Sequence, residues 1–375
     1  MKPIYIGQNK MIKKQIIIVP IEKLENRYTY FWYDHVPKIL DEAIKARNLD
    51  IDITIINGDD VPPTTTPGAF LDFGATNIYK SSQTMIIAEL FRQGKIKSGD
   101  KFLYTDAWNP GIIQVKYMAD LYNVDLEFHS MWHANSLDPQ DFLGRLIGDK
   151  PWIRHAEKSM FHCFDKNWFA TNFSANLCNP FKYASPIEYG NTKTKIGITG
   201  WPMEYLEDIL GPYKNATKKN QIVFPHRLAP EKQLNIFEDL AQEMPEYDWV
   251  VCQKTNLTKH EYHTILSESK LCFSASLQET YGISMLESLM VNCYALMPKR
   301  LSYAEIFANQ QELLYPSEWT SSWNNYLIYK SNLIDTIKKI MDTDQNEILK
   351  ITNKFQTETF PKCGHADNLI NALLQ

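Results

Sequence analysis

Short apolar runs, hydrophobic almost without a break, recur along this sequence at intervals filled by longer mixed segments, and the series runs twice. A strand that is apolar on both sides must be covered on both faces, which is the signature of a parallel sheet with crossover helices. The first series predicts strands at Gln15–Pro20 (QIIIVP), Asp52–Ile56, Lys101–Thr105, Val124–His129 and Lys166–Thr171. Helices are expected over Tyr30–Arg47, Met85–Gln93 and Gly111–Tyr122. A polar stretch from Asn179 to Lys195, carrying Pro180, Pro186 and Gly190, reads as a connection. The pattern then restarts, with strands at Ile196–Thr199, Gln221–Phe224, Asp248–Cys252, Leu271–Ser274 and Tyr294–Met297. Between them lie expected helices at Lys232–Met244, Leu257–Glu268 and Tyr281–Met290. At 375 residues the chain is too long for one ordinary core. The economical α/β architecture is two Rossmann-like domains facing each other across a cleft, at 1–185 and 186–362. A last helix within 363–375 is expected to fold back across the first domain.

Charge narrows the partners. The formal net charge of −5 gives no whole-protein basic field for nucleic acid. A nucleic-acid substrate would need a local strip, and Lys10, Lys13 and Lys14, or Arg92, Lys95, Lys97 and Lys101, are the candidates; solvated surface is the plainer reading of both. The six cysteines (Cys163, Cys178, Cys252, Cys272, Cys293, Cys363) form no CxxC pair and no metal-like spacing. Several lie in apolar runs, as buried free thiols do, so a reducing cytoplasm is expected. The apolar stretch after the lysine-bearing start is too short for a signal peptide or a membrane span.

Two segments carry chemistry. Phe224-Pro-His-Arg-Leu-Ala-Pro-Glu-Lys232 follows a strand and places Arg227 and Lys232 where ligands bind on open α/β sheets. Two cations there can hold a diphosphate and stabilise the charge that grows on it as it leaves; Pro230 and Glu231 would equally suit a plain helix start. Glu279-Thr-Tyr-Gly-Ile-Ser-Met-Leu-Glu287 follows LCFSAS and opens a helix. Backbone N–H groups near Thr280, Tyr281 and Gly282 would face an anion, and Gly282 lets it approach closely. Glu279 stands where it can touch sugar hydroxyls, and Glu287 lies on the face that can reach a ribose. The bland alternative is an acid complementing the helix dipole and a solvent-facing glutamate.

These residues resemble the glycogen-synthase-like family 4 glycosyltransferases of the GT-B fold. Two glutamates with seven residues between them, here Glu279 and Glu287, and an Arg/Lys pair, here Arg227 and Lys232, are that family's hallmark. Over Ile198–Tyr315, including NCYALMPKRLSYAEIF at Asn292–Phe307, the chain is similar to the queuosine-tRNA mannosyltransferase group. The first half lacks that group's opening and the Gly-Gly loop that many family members carry. It resembles DNA-modifying glycosyltransferases of tailed bacteriophages instead. The residues concerned are Pro20–Pro37 (PIEKLENRYTYFWYDHVP), Gly68–Gln83 (GAFLDFGATNIYKSSQ), Thr105–Gly111 (TDAWNPG) and His133–Phe142 (HANSLDPQDF).

The resemblance implies a retaining, metal-independent transfer from a nucleotide sugar, with UDP as the expected nucleotide and no other cofactor. Arg227, Lys232 and the helix start would neutralise the departing diphosphate, Glu279 would orient the sugar, and His133 would contact it. The transition state would resemble an oxocarbenium ion. Acceptor contacts are expected from the first domain, at Asp106, Trp108, Arg27 and Asp138. Asp106 suits a hydroxyl or a helix N-cap, Trp108 suits stacking or packing, and Arg27 suits a phosphate or a pairing with Glu25 or Asp34. The leading acceptor is a hydroxymethylated pyrimidine in viral DNA, modified in the host cytoplasm, with the base flipped out. A tRNA base, a lipid or a glycan is the alternative, and a non-catalytic nucleotide-sugar- or DNA-binding module is the reading from another class. Glu279→Ala and Lys232→Ala should each cut transfer severely while leaving the fold intact.

Overall fold

A computed structural model describes residues 14–25, 27–59, 72–178 and 195–375. Lys10, Lys13 and most of the expected connection at 179–195 lie outside the described residues. Eleven strands make two wholly parallel sheets among those residues. The first contains β1 (Lys14–Val19), β2 (Ile51–Ile55), β3 (Lys101–Tyr104), β4 (Glu127–Met131), β5 (Lys166–Phe169) and β6 (Lys195–Ile198), in spatial order β2-β1-β3-β4-β5-β6. The second contains β7 (Lys219–Phe224), β8 (Asp248–Val251), β9 (Ser269–Phe273), β10 (Tyr294–Pro298) and β11 (Leu314–Tyr315), in the order β11-β10-β9-β7-β8.

The isoleucine run of β1 explains why the first sheet is double-sided. Ile16 and Ile18 face a core shared with the second lobe, whereas Ile17 and Val19 face a separate core with Phe102, Tyr104 and Phe128. Successive side chains in a strand point to opposite faces, so an unbroken run serves both layers. The shared core continues through Trp32 and Trp201, whose ring centroids are 4.7 Å apart, to Tyr281, stacked on Trp201 at 5.7 Å. One apolar spine therefore couples the lobes.

In each sheet the chain starts in the middle and reverses direction. It passes from β1 out to β2 and back to β3, and from β7 out to β8 and back to β9. A reversal leaves a crevice at the carboxyl ends of the two strands that flank it, where ligands of open α/β sheets sit. The helices that matter are α1 (Tyr28–Ala46) and α2 (Phe73–Arg92) in the first lobe, and α3 (Ile283–Met290) in the second. A last helix, α4 (Asp367–Leu373), packs on β6 and α1, where Asn368 Nδ2 donates to Ile198 O at 2.9 Å.

Two local expectations are corrected, and the candidate basic strip is placed as the plainer reading had it. Ile196–Thr199, expected to open the second domain, pairs with β5 and closes the first sheet, so the division of the sheets falls after residue 198 rather than at 185. Nothing in four residues reading IGIT encodes which sheet they join; that is decided by the pairing partners. Lys232 does not open an α-helix. It ends a 3-10 turn (Pro230–Lys232), and the helix (Leu234–Glu243) begins only after Gln233, which is left-handed at φ 54°. Buried hydrogen bonds from Gln233 Nε2 to Ala275 O (2.6 Å) and Thr320 O (2.7 Å) hold that conformation. Finally, Lys101 is the first residue of β3 and pairs with Glu127 at 3.0 Å, while Arg92 pairs with Glu89 at 2.5 Å. The candidate basic strip lies at the amino edge of the sheet, opposite the crevice.

Candidate active site

Two cavities meet where the crevices face each other. The first, of about 300 Å³, lies between the lobes and is lined by Pro225–Arg227, Lys232 and Gln278–Ser284, together with Arg27, Tyr28, His133 and Ala134 of the first lobe. The second is an apolar chamber of about 260 Å³ within the first lobe, at the ends of β1, β3 and β4. Arg27, Tyr28, His133 and Ala134 line both cavities, so they form the shared wall.

In the interlobe cavity Lys232 and Glu279 form a buried pair. Lys232 Nζ donates to Glu279 Oε1 at 2.7 Å and also to Gln278 O. Ser276 Oγ donates to the same carboxylate oxygen at 3.2 Å, and His226 Nδ1 lies 3.4 Å from it. Burial pushes the Glu279 carboxyl up, but the Lys232 ammonium, His226 and the hydrogen bonds from Lys232 and Ser276 together hold the group below its ordinary value. Burial drives His226 down to about 4, so its ring is neutral. The left-handed Gln233 is what ends the turn and lets Lys232 face inward.

Gly282 stands before α3 at φ 83°, where a Cβ would run into the Tyr303 ring. Only glycine meets both demands. Of the N–H groups that follow, those of Met285 and Leu286 bond to Gly282 O, so the α3 start offers the cavity the N–H groups of Ile283 and Ser284. The side chains around it hold the loop. Thr280 Oγ1 donates across the lobes to His133 O at 2.6 Å, and Tyr281 OH donates to Cys363 O at 2.5 Å. Thr280 and Tyr281 therefore offer backbone to the cavity. Glu287, one turn into α3, does not line it. It is half-buried, accepts from Tyr262 OH at 2.9 Å, and is raised to about 7 by burial.

Arg227 reaches Glu231 at 2.5 Å, and Arg145 of the first lobe pairs with the other oxygen of Glu231. Arg27 approaches from the first lobe as the residue preceding α1, with an extended backbone (φ −130°, ψ 160°). Burial lowers it to about 10, and the nearby Arg227 adds to that shift. Three cations from two segments thus converge on one cavity flanked by the starts of α1 and α3.

The four segments that resemble phage enzymes, scattered from residue 20 to 142, all contribute to the chamber. Asp106 ends β3 as a buried carboxylate paired with Lys80 at 2.6 Å and capped by the N–H of Trp108 at 3.0 Å. It caps no helix, since Asn109 Oδ1 takes the N–H of Gly111 at 3.0 Å. Trp108 lines the chamber while its indole N–H donates to Glu157 at 3.0 Å. His133 has both ring nitrogens engaged: Nε2 donates to Thr105 O at 2.6 Å, so Nδ1 accepts from Tyr28 OH. Asp138 stands in a turn where it accepts from Gln140 N at 2.9 Å; it lines neither of these two cavities but a smaller pocket beside Gln278, Glu279 and Thr280. Its neighbour Asp141, unnoticed in the sequence, lines the interlobe cavity and is raised to about 7 by burial. Glu22 and Lys80 were missed too. Each lies within a quoted motif, but no spacing rule singles out either one.

No protein-family model and no curated protein sequence matches the chain. Solved structures do. An α,α-trehalose-phosphate synthase (UDP-forming) from Burkholderia vietnamiensis superposes with TM-score 0.61 at 10% identity, covering 97% of this chain and 99% of that one. The catalytic domain of starch synthase IV from Arabidopsis thaliana, bound to ADP and acarbose, gives 0.57 at 10% identity, covering 96% and 99%. Sucrose-phosphate synthase from Thermosynechococcus elongatus gives 0.55 at 11% identity, covering 96% and 100%. The chain has the GT-B fold, two parallel-sheet lobes with helices. The queuosine and phage subgroups gain no support from these likenesses. No helix among the described residues is long and apolar enough to cross a membrane.

Proposed function

We propose that this chain is a retaining, metal-independent glycosyltransferase that moves a sugar from a UDP-sugar to an acceptor hydroxyl presented by the first-lobe chamber. The observation that carries the reading is the convergence of Arg227, Lys232, Arg27 and the start of α3 on a cavity that shares a wall with that chamber. Fixed positive groups aimed where charge develops lower the barrier most. The diphosphate would rest between the three cations and the α3 amides. Glu279, held ionised by Lys232, would orient the sugar hydroxyls. The acceptor hydroxyl would attack the face the diphosphate leaves, passing its proton to a phosphate oxygen. His133, with its ring occupied, would act as a positioning residue whose carbonyl anchors Thr280.

For the acceptor we propose the hydroxymethylated pyrimidine that the first-half resemblance implies, because all four segments carrying it line one chamber. The test is incubation with labelled nucleotide sugars and four acceptors: DNA containing hydroxymethylcytosine, plain DNA, tRNA and the free hydroxymethyl nucleoside. Transfer with retained configuration, unaffected by EDTA, is expected for the hydroxymethylated acceptors. Transfer to tRNA alone would remove the pyrimidine assignment, and no binding or turnover of any nucleotide sugar would remove the enzyme.

Glu287 gives a pH prediction. The resemblance assigns Glu287 to the ribose although it stands outside the cavity; in that role only its ionised form would accept hydrogen bonds from both ribose hydroxyls, and burial raises its carboxyl to about 7. About half is ionised at pH 7 and only about a tenth one pH unit lower, so the donor KM should rise up to about fivefold between pH 7 and about pH 6. The rise should be absent in Glu287→Gln, whose donor KM is high throughout. A flat wild-type profile would detach Glu287 from the donor.

A further inference from the structure

Glu22, the third residue beyond β1, is buried to 2% exposure and lines the chamber. Thr76 Oγ1 donates to one carboxylate oxygen; the other, Oε2, has no hydrogen-bond partner. Lys80, whose charge acts on Glu22, directs its hydrogen bonds elsewhere, to Asp106 Oδ2 at 2.6 Å and Trp108 O at 2.7 Å. Leaving such an oxygen unpaired in an apolar surround is costly, and proteins rarely tolerate it without a reason. Other polar groups of the lining are paired, Asp106 with Lys80 and His133 with Thr105 O and Tyr28 OH, while Thr29 Oγ1 is unpartnered too. Ile21, Leu24, Leu143 and Ile147 form walls, and Phe73 lies nearly parallel to Phe142, with ring planes 10° apart and centroids 6.2 Å apart.

We infer that Glu22 is the specificity-determining residue of the acceptor site, reading an N–H donor on the edge of a flat heteroaromatic ring whose hydroxymethyl group is the acceptor. The inference rests on the proposed transferase reading and adds to it the chemistry of the ring. Apolar walls and a parallel pair of aromatic side chains accommodate a planar body, while a lone carboxylate oxygen selects for a donor edge. A site built to hydrogen-bond a substrate N–H discriminates strongly against the analogue lacking it, because its own buried group is then left unpaired. The ring can arrive as a free nucleoside or as a base in DNA, and the chamber chemistry is the same for both.

The test compares rates for 5-hydroxymethyl-2′-deoxycytidine, a single-stranded oligonucleotide containing that base, and benzyl alcohol, which has the hydroxymethyl group but no N–H. Wild-type protein should transfer to the nucleoside or the oligonucleotide at least about tenfold faster than to benzyl alcohol, and whichever of the two is faster identifies the source. Glu22→Gln presents an amide N–H where the carboxylate oxygen was, so the preference should collapse or turn towards 3-pyridinemethanol, whose ring offers an acceptor. The readout is a ratio within each protein, so reduced folding of the variant does not mimic it, and the wild-type ratio needs no variant at all. Equal wild-type rates, no transfer to either N–H-bearing acceptor, or an unchanged preference in Glu22→Gln would overturn the inference. UDP release by the wild type without acceptor separates the two claims. If UDP is released but Glu22 has no effect, only the ring assignment falls; if no nucleotide sugar is bound or cleaved, the transferase reading falls with it.

Discussion

Lys232→Met and Glu279→Gln are each expected to cut sugar transfer by about 10²–10³-fold and to lower thermal stability, while the double variant regains the stability and none of the activity. The activity loss follows from position. Lys232 and Glu279 touch at 2.7 Å within the cavity that would hold the diphosphate and the sugar. A cation fixed there lowers the charge on the leaving group at no cost of reorganisation, and its removal falls on the chemical step more than on binding.

The stability loss corrects what the sequence implied, that changes at these two positions spare the fold. Lys232 is 4% exposed, and Glu279 is enclosed by Lys232, His226 and Ser276. Taking away one partner strands a charge, at a cost of about 3–5 kcal/mol. Taking away both strands none. The depressed Glu279 pKa gives the sign with pH: its stabilising contribution is present above the ordinary carboxylate range and is lost as the pH falls through the lower folded value. Melting curves of the four proteins, run beside a UDP-release assay, form the cycle. Singles as stable as wild type would show that the pair is hydrated rather than buried, and near-wild-type transfer in either single would displace the site.

How much of this was legible in the sequence depends on whether the signal was local. Gly282 announced itself, because a glycine between an acidic residue and an apolar helix has few uses, and the structure gives it a left-handed backbone against Tyr303. The alternating apolar runs gave the two sheets, since covering both faces of a strand leaves an unbroken apolar signature. The β6 assignment failed because strand pairing is a long-range choice. Gln233 was invisible as a turn-maker, since its left-handed backbone is held by carbonyls of Ala275 and Thr320, far away in sequence. Asp106 was noticed, but its partner Lys80 lies 26 residues earlier on another element, so the motif gave one half of an ion pair. Glu22 looks like any charged residue after a strand. Only its burial and unpaired oxygen set it apart, and both are tertiary facts.

Arg27→Ala should raise the dissociation constant for UDP by about tenfold and reduce transfer by about 10²-fold, with the UDP effect present when no acceptor is added. The first lobe has no Gly-Gly loop to bring backbone N–H groups to the phosphates, and Arg27 stands at the start of α1, facing the same cavity as Arg227. Two guanidinium groups near each other in a half-buried site repel: burial is the main cause that lowers Arg27, and Arg227 adds to it. A diphosphate between them turns repulsion into two attractions, and a guanidinium fork matches phosphate oxygens better than an ammonium can. Arg27→Lys should therefore restore the charge but only part of the affinity. Isothermal titration with UDP distinguishes the two roles open to this residue. A contact with acceptor alone would leave UDP binding untouched and move only the acceptor KM, whereas a contact with phosphate moves UDP binding first. Because Arg27 also walls the chamber, a residue gripping the phosphate would tie donor occupancy to the shape of the acceptor site. Acceptor binding should then tighten when UDP is present in the wild type, and by the same factor in reverse, with the coupling lost in Arg27→Ala.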